Sequence, residues 1–587
     1  MMNKILLGAC LFTFGFVYSQ ETEQKVEEKK DYGKIFGGFE SNSQWYLNDK
    51  EMGTIHPEDP LRSNNYLFVN YNYKNWTAGI QVEGYEPNAL LNYNPKLKGT
   101  NVATYFVNYK TNKIDITAGY FYEQFGSGLL LRSWEDRALG LNNAIRGGKI
   151  NYRPSDYLSF TGLYGQQRTG FNVSNGKIFG FNSEIILDQL LNFETSGLSI
   201  GLTYVGRDEK IDKNEVANPE FESLTNSFAG RVNFTHKSFY VSSEYNFKSE
   251  DAILDVQNNI SNDFIKPGSA VLLNMGYSKQ GLGIDATFRR MENMGFYSER
   301  IPEVYPPQDV TQLPSTSINY NDKIINYTPA LTKQHHSNLA NIYVYQAQNR
   351  VDFAGESIMK AGEIGGQIDV FYNFKKGSAF GGKYGTKIAL NASNWYNLKG
   401  KFSYYDPLPD YKTDFIGTGD KYFSDYNIEI TKKISDQWHT GFNYINQYYD
   451  KKYLGGGSLI KTNILTGEVT YSFANSKSIR VLAEHMWVNT TKEEESHTWG
   501  TGAVAGMTLE YSFNSKFSCY VWDMYNYGND YQERRNHYYN VGGSYRKGAS
   551  RISVNYGRQR GGLVCVGGVC RFVPESTGLS LSLNTSF

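Results

Sequence analysis

An all-β, single-chain transmembrane antiparallel β-barrel of about 24 strands (range roughly 18–26), with its lumen narrowed by inward loops, is the fold this sequence predicts. Three observations predict it. Apolar and polar residues alternate through most of the chain, short polar turns alternate with long loops, and the last strand ends on Phe587. Composition agrees: Tyr 47, Phe 35 and Gly 58 against only Pro 15 in 587 residues suit strands and aromatic girdles rather than disorder. Lys+Arg 59 balance Asp+Glu 59, so no net basic field gathers nucleic acid. Beyond the first twenty positions no apolar run approaches the roughly 20 residues of a membrane helix.

The chain begins with an address. Lys4 supplies a basic start, 5–16 an apolar core, and Val17-Tyr18-Ser19 a cleavage site, so 1–19 read as a secretory signal peptide. A lipobox reading of Leu7-Gly8-Ala9-Cys10 is disfavoured because the apolar stretch before Cys10 falls short of about 7–15 residues. A short acidic-basic segment, 20–31, then precedes a barrel over 32–587. Export leaves three cysteines in an oxidising compartment. Cys565 and Cys570 are spaced to close a small disulfide loop, and Cys519 reads as a buried free thiol.

The first hairpin sets the pattern. In YLFVNYNYKNWTAGIQVE (66–83), Leu67, Val69, Tyr71, Tyr73, Trp76, Ala78, Ile80 and Val82 share one face, and Asn70, Asn72, Thr77, Gln81 and Glu83 the other, about a Lys74-Asn75 turn. The unit recurs at 104–120, 143–169, 178–206, 226–249, 268–290, 362–395, 422–452, 461–490, 500–526 and 536–560. Strands at 33–46 and 577–587 remain to pair with each other. Turns inside hairpins are a few polar residues, such as Thr111-Asn112 and Asn475-Ser476-Lys477, whereas 123–142, 207–225, 291–361 and 396–420 are long links. That alternation matches periplasmic turns and outer loops, although 186–197 and 376–382 are long for turns. In the last strand Leu579, Leu581, Leu583, Thr585 and Phe587 share a face, and a closing Phe reads as an assembly signal. A soluble array of β-sandwiches would alternate too, but it accounts for neither the terminal Phe nor the loop asymmetry.

Several stretches resemble an uncharacterised, porin-like family of outer-membrane barrels from Bacteroidota: Gly37-Gly-Phe-Glu-Ser-Asn-Ser-Gln-Trp-Tyr46; Phe121-Tyr-Glu-Gln-Phe-Gly-Ser-Gly-Leu129 with Asn142-Asn-Ala-Ile-Arg-Gly147; and Asn326-Tyr-Thr-Pro-Ala-Leu-Thr-Lys-Gln-His335. The resemblance implies a bacterial outer-membrane location and carries over no functional residue.

Catalytic signatures are absent: there is no H-E-x-x-H, G-x-S-x-G, phosphate loop or C-x-x-C. His335-His336 lacks ligands at metal spacing, so no metal or cofactor is expected. The densest charges next to strands are Glu123, Arg132, Glu135, Asp136, Arg137 and Arg146. Folded inward they would constrict the lumen and tune passage; the plainer reading is a salt-bridged plug or an outer loop. The Pro-rich 291–361 link could be a lid or constriction. The sequence does not say whether it points in or out.

The leading expectation is a porin-like channel for small solutes. The alternatives are a non-conducting subunit of a larger outer-membrane complex for uptake, secretion or barrel assembly, and, third, an outer-membrane enzyme. Expected partners are outer-membrane lipid and lipopolysaccharide and the barrel-assembly machinery, with no nucleic acid. An energised receptor with an N-terminal plug is disfavoured, because about a dozen residues separate Gln20 from the first strand.

Overall fold

A computed structural model describes residues 32–210, 222–254, 265–305, 317–319, 321–353, 359–403, 410–454, 457–490, 502–529, 531–566 and 569–587. The 1–19 and 20–31 segments lie outside them.

Twenty-four strands form one closed antiparallel sheet. Each strand pairs with its sequence neighbours, and the ring is completed where Lys34–Leu47 meets Ser576–Ser586, in register from Gly38↔Ser586 to Leu47↔Thr577. Closure leaves no edge with unpaired amides. The eleven hairpins and the pairing of the two end strands follow the expectation.

Alternation decides which side each residue faces. Leu67, Tyr71, Trp76 and Ile80 are exposed on the outer wall, while Gln81 and Glu83 are buried in the lumen. Near the turns the outer wall carries paired rings: Trp76 on Tyr109, Trp438 on Tyr471 and Tyr511 on Phe513, with centroids 4.7, 4.7 and 4.5 Å apart.

Three details differ from expectation. The link at 396–420 is largely strand: Thr386–Ser403 and Asp410–Lys433 continue as a tall hairpin whose register shifts after Trp395, Tyr396 and Leu398. Bulges there bend the pair. The long turn at 186–197 is filled by a one-turn helix, Leu187–Leu191, ended by Asn192 in the left-handed conformation. Cys519 is half-buried rather than buried, because it shares the outward parity of Phe517 and Val521. Two short strands, Gly562–Val566 and Val569–Val573, set Cys565 opposite Cys570 in backbone register.

The start of the first described strand, the C-terminal residue and the short turns lie at one end of the barrel, where Gly37 and Phe587 exchange backbone hydrogen bonds of 2.9 and 3.0 Å. The long links share the opposite, loop end. Three of them, 86–98, 122–144 and the described parts of 293–361, fold into the lumen and build its core there.

Candidate functional site

The loop-end lumen is a packed plug. Leu129, Leu130 and Leu131 join Met294, Phe296 and Ile325 against the inner-wall residues Leu163, Ile178, Val205 and Ala270. Across the lumen, Leu339, Ala340, Tyr343 and Tyr345 pack on Trp395, Phe423, Ile445, Ile464 and Met486. The 293–361 insertion leaves from Leu282–Glu292 and returns to Gly362–Phe374, which are paired neighbours, so the wall is unbroken at its root. One insertion therefore bridges opposite sides of the barrel.

The two main plug segments are stitched together first. Tyr327 N donates to Gly128 O at 2.8 Å and Arg132 N to Ile325 O at 2.9 Å. The Asn326 side chain donates to Leu129 O and Met294 O at 3.1 and 2.8 Å, which satisfies backbone acceptors that the lumen hides from water. Gly126, at φ +55°, permits a close approach to the wall, since a Cβ there would lie 2.6 Å from Arg231 Cδ and 2.7 Å from Glu244 Oε2.

Ion pairs and hydrogen bonds then tie wall strands to one another and the plug to the wall. On one side Asp251 Oδ1 accepts from both Arg207 and Arg300 at 2.8 Å, Arg207 donates to Tyr297 O at 2.8 Å, and Lys248 donates to Gly295 O at 2.6 Å. Arg300 also pairs with Glu209 at 3.2 Å, and burial pushes the Glu209 carboxyl above its ordinary range. On the other side Glu363 accepts from Arg289 Nε at 2.9 Å, Tyr345 OH at 2.5 Å and Gln348 N at 2.7 Å. Tyr345 stacks between Trp395 and Phe423 with centroids 5.6 and 5.3 Å away. His335 bonds Asp425 at 2.9 Å, and Gln447 donates to both Asp425 and Ala340 O at 3.0 Å. Arg168 holds Glu83 bidentately at 2.9 and 2.6 Å, both side chains being about 2% exposed or less. Charges this deep cost several kcal/mol each to desolvate unless paired.

The six candidate charges divide five to one. Arg137 bridges Glu40 at 2.9 Å and Glu135 at 3.3 Å inside the lumen. Glu123 pairs with Lys149 at 3.1 Å. Arg132 lies between Trp134 and Tyr327, 4.3 and 3.9 Å from the ring centroids. Asp136 accepts from Leu139 N at 3.0 Å, capping a turn of the plug. Arg146 departs from the expected set. It shares the outward parity of Ile150 and Tyr152 and is exposed beside Tyr120, so it does not line the lumen. The reason is local: at the loop end an apolar residue, Ile145, turns inward to meet the plug core, inverting the pattern that holds farther down the strand.

The main anchors, Arg207, Asp251, Arg289, Arg300 and Glu363, were not among the sequence candidates. For Arg207, Arg289 and Glu363 the signal was a charge at inward parity close to the loop end of its strand, as with Arg207 two residues after Val205, whereas Asp251 follows a register shift and Arg300 lies in the insertion.

Toward the turns the lumen changes character. A cavity of about 550 Å³ opens there, lined by Ser478, Ser512, Ser518 and Ser544 together with Lys516, Arg546 and Arg551.

A family model described as a family of unknown function (DUF6029) matches residues 2–587. The chain belongs to that family. No curated protein matches the sequence significantly. Among solved structures it is similar to the P pilus usher PapC translocation pore, at 9% identity and TM-score 0.41, covering 94% of this chain and 99% of that one. It is similar to the siderophore receptor PirA from Pseudomonas aeruginosa at 7% identity and TM-score 0.38, covering 94% and 80%. It is also similar to OpdK from Pseudomonas aeruginosa, solved with vanillate, at 9% identity and TM-score 0.33, covering 94% and 98%.

Proposed function

We propose that this DUF6029 protein is a bacterial outer-membrane barrel with its loop-end lumen closed, acting as a non-conducting subunit of a larger outer-membrane complex. The outer wall supports the membrane placement. Leu579, Leu581, Val554 and Tyr556 are exposed side by side around a sheet with no edge, a surface that hydrocarbon accepts and water does not.

The observation that carries the closed reading is the described part of the 293–361 insertion, held on one wall by the buried Arg300–Asp251 ion pair and the Arg207 bond to Tyr297 O, and on another by the His335–Asp425 and Gln447–Ala340 O hydrogen bonds. Opening a path would uncover those charges. A barrel of this kind acts through the surfaces it presents rather than through its bore.

The turn-end cavity favours a second reading, a gated small-solute channel, because its polar lining suits a solute waiting below the plug. Planar-bilayer conductance of the purified chain, alongside gentle extraction from membranes, separates the two. Silence with stoichiometric protein partners is the expected result. Steady current from the intact chain would sink the closed reading and establish the channel.

A further inference from the structure

The turn-end cavity gathers three cations with no carboxylate beside them among the described residues. Arg546 and Arg551 are direct register partners across the hairpin formed by His537–Lys547 and Ser550–Gln559. Both have inward parity, since Tyr545 and Ile552 are exposed on the outer wall. Like charges set directly opposite each other on one face of a sheet are destabilising. Lys516 joins them on the same cavity. Among the described residues no carboxylate lies within ion-pairing distance of the three. Glu468 and Glu510 on the neighbouring inner wall are both engaged by Arg480, at 2.8 and 2.9 Å. At the loop end, by contrast, Arg168, Arg207, Arg289 and Arg300 each meet a carboxylate.

Hydroxyls complete the lining. Ser518 and Ser544 stand 3.1 Å apart, Oγ to Oγ, beside Ser512. Three cations bordered by serine hydroxyls and facing an aqueous lumen have the chemistry of a site for an oxyanion on a hydroxylated molecule. Arginine pairs suit phosphate because each offers a fork of donors, and a bound dianion would relieve the Arg546–Arg551 repulsion.

We infer that this cavity binds a small, soluble, phosphate-bearing, hydroxylated solute at the turn end of the lumen. Lipid headgroups carry the same phosphate, but they lie against the outer wall, which neither arginine faces. The site does not depend on whether the plug opens.

Glucose 6-phosphate is the probe, titrated calorimetrically into the full chain in an uncharged detergent, with glucose as the neutral control. The double variant Arg546→Ser with Arg551→Ser should weaken binding about tenfold or more, the loss expected of two charge-assisted contacts. Lys547→Ser on the same hairpin removes a charge of outward parity and should change affinity by less than about twofold. Heat-modifiable migration verifies that each variant is folded. Equal weakening by Lys547→Ser, unchanged binding in the double variant, or binding of glucose alone would overturn the proposal. Displacement of the probe by phosphatidylglycerol doped into the micelle would overturn the assignment to a soluble solute.

Discussion

The two halves of the lumen solve the same problem in opposite ways. At the loop end, buried charges find partners: Arg207 on the wall and Arg300 on the plug share Asp251, and Arg289 meets Glu363 on the neighbouring strand. At the turn end, Arg546 faces Arg551 across the strands, and Lys516 has no carboxylate beside it among the described residues. Water explains the difference. A dry core forces each charge to find a partner, whereas a wet vestibule lets cations wait for one. The zero net charge of the whole chain conceals this segregation.

The comparison can be broken most directly by removing the plug. Replacing 294–360 with a short Gly-Ser linker joins two strands that already pair, so the ring should survive. The expected outcome is a change from electrical silence to large, steady single-channel current; continued silence in a folded variant would mean that something other than the insertion closes the bore. Next in size, Glu363→Ala strips the partner from Arg289 and should cost about 3–5 kcal/mol in urea unfolding, with Arg289→Met restoring much of it in the double variant. A loss below about 1 kcal/mol would show that the loop end is wetter than its packing implies.

Smaller effects sharpen the contrast between wall faces. Leu581→Arg, on the outer wall, should destabilise the barrel by about 2–4 kcal/mol, whereas Ser580→Arg, facing the lumen, should cost little. Arg132→Ala removes a cation held between two rings and should cost about 2 kcal/mol or less, read as a lower temperature of the heat-modifiable shift. Arg146→Gln should leave both stability and, in the plug-deleted barrel, ion selectivity unchanged. A selectivity shift there would return Arg146 to the lumen.

Much of the wall was legible because it is local. A period of two in residues such as Gln81, Val82 and Glu83 fixes the face of each side chain, and a two-residue turn at Lys74-Asn75 fixes the register of its neighbours. The plug was not legible for the complementary reason. Nothing near Asp322 announces Arg571, which it meets at 2.6 Å across 249 positions of sequence, and nothing near Arg207 announces Arg300. Such pairs become visible only once the barrel has brought its loops to one end. Arg146 was misplaced because Ile145 beside it answers to the plug rather than to the outer wall. Apolar alternation reports the outer wall only where no apolar core fills the other side of the strand.

The pairing of Lys34–Leu47 with Ser576–Ser586 also sets an order of events. Every other barrel strand joins the next barrel strand along the chain, mostly across short turns and, at Glu292↔Gly362, across the long insertion, so the wall can assemble hairpin by hairpin, and the seam closes the longest loop in the sheet. The contact of Asp49 with Arg558 at 2.8 Å links early chain to late and can form only as the two ends approach, and that of Asp322 with Arg571 ties the plug to the loop before the seam strand. Closing the seam is thus also the step that locks the plug, and a barrel halted before it would expose in one stroke a sheet edge, an apolar lumen lining and stranded charges. Such an intermediate offers cellular quality control three features to recognise.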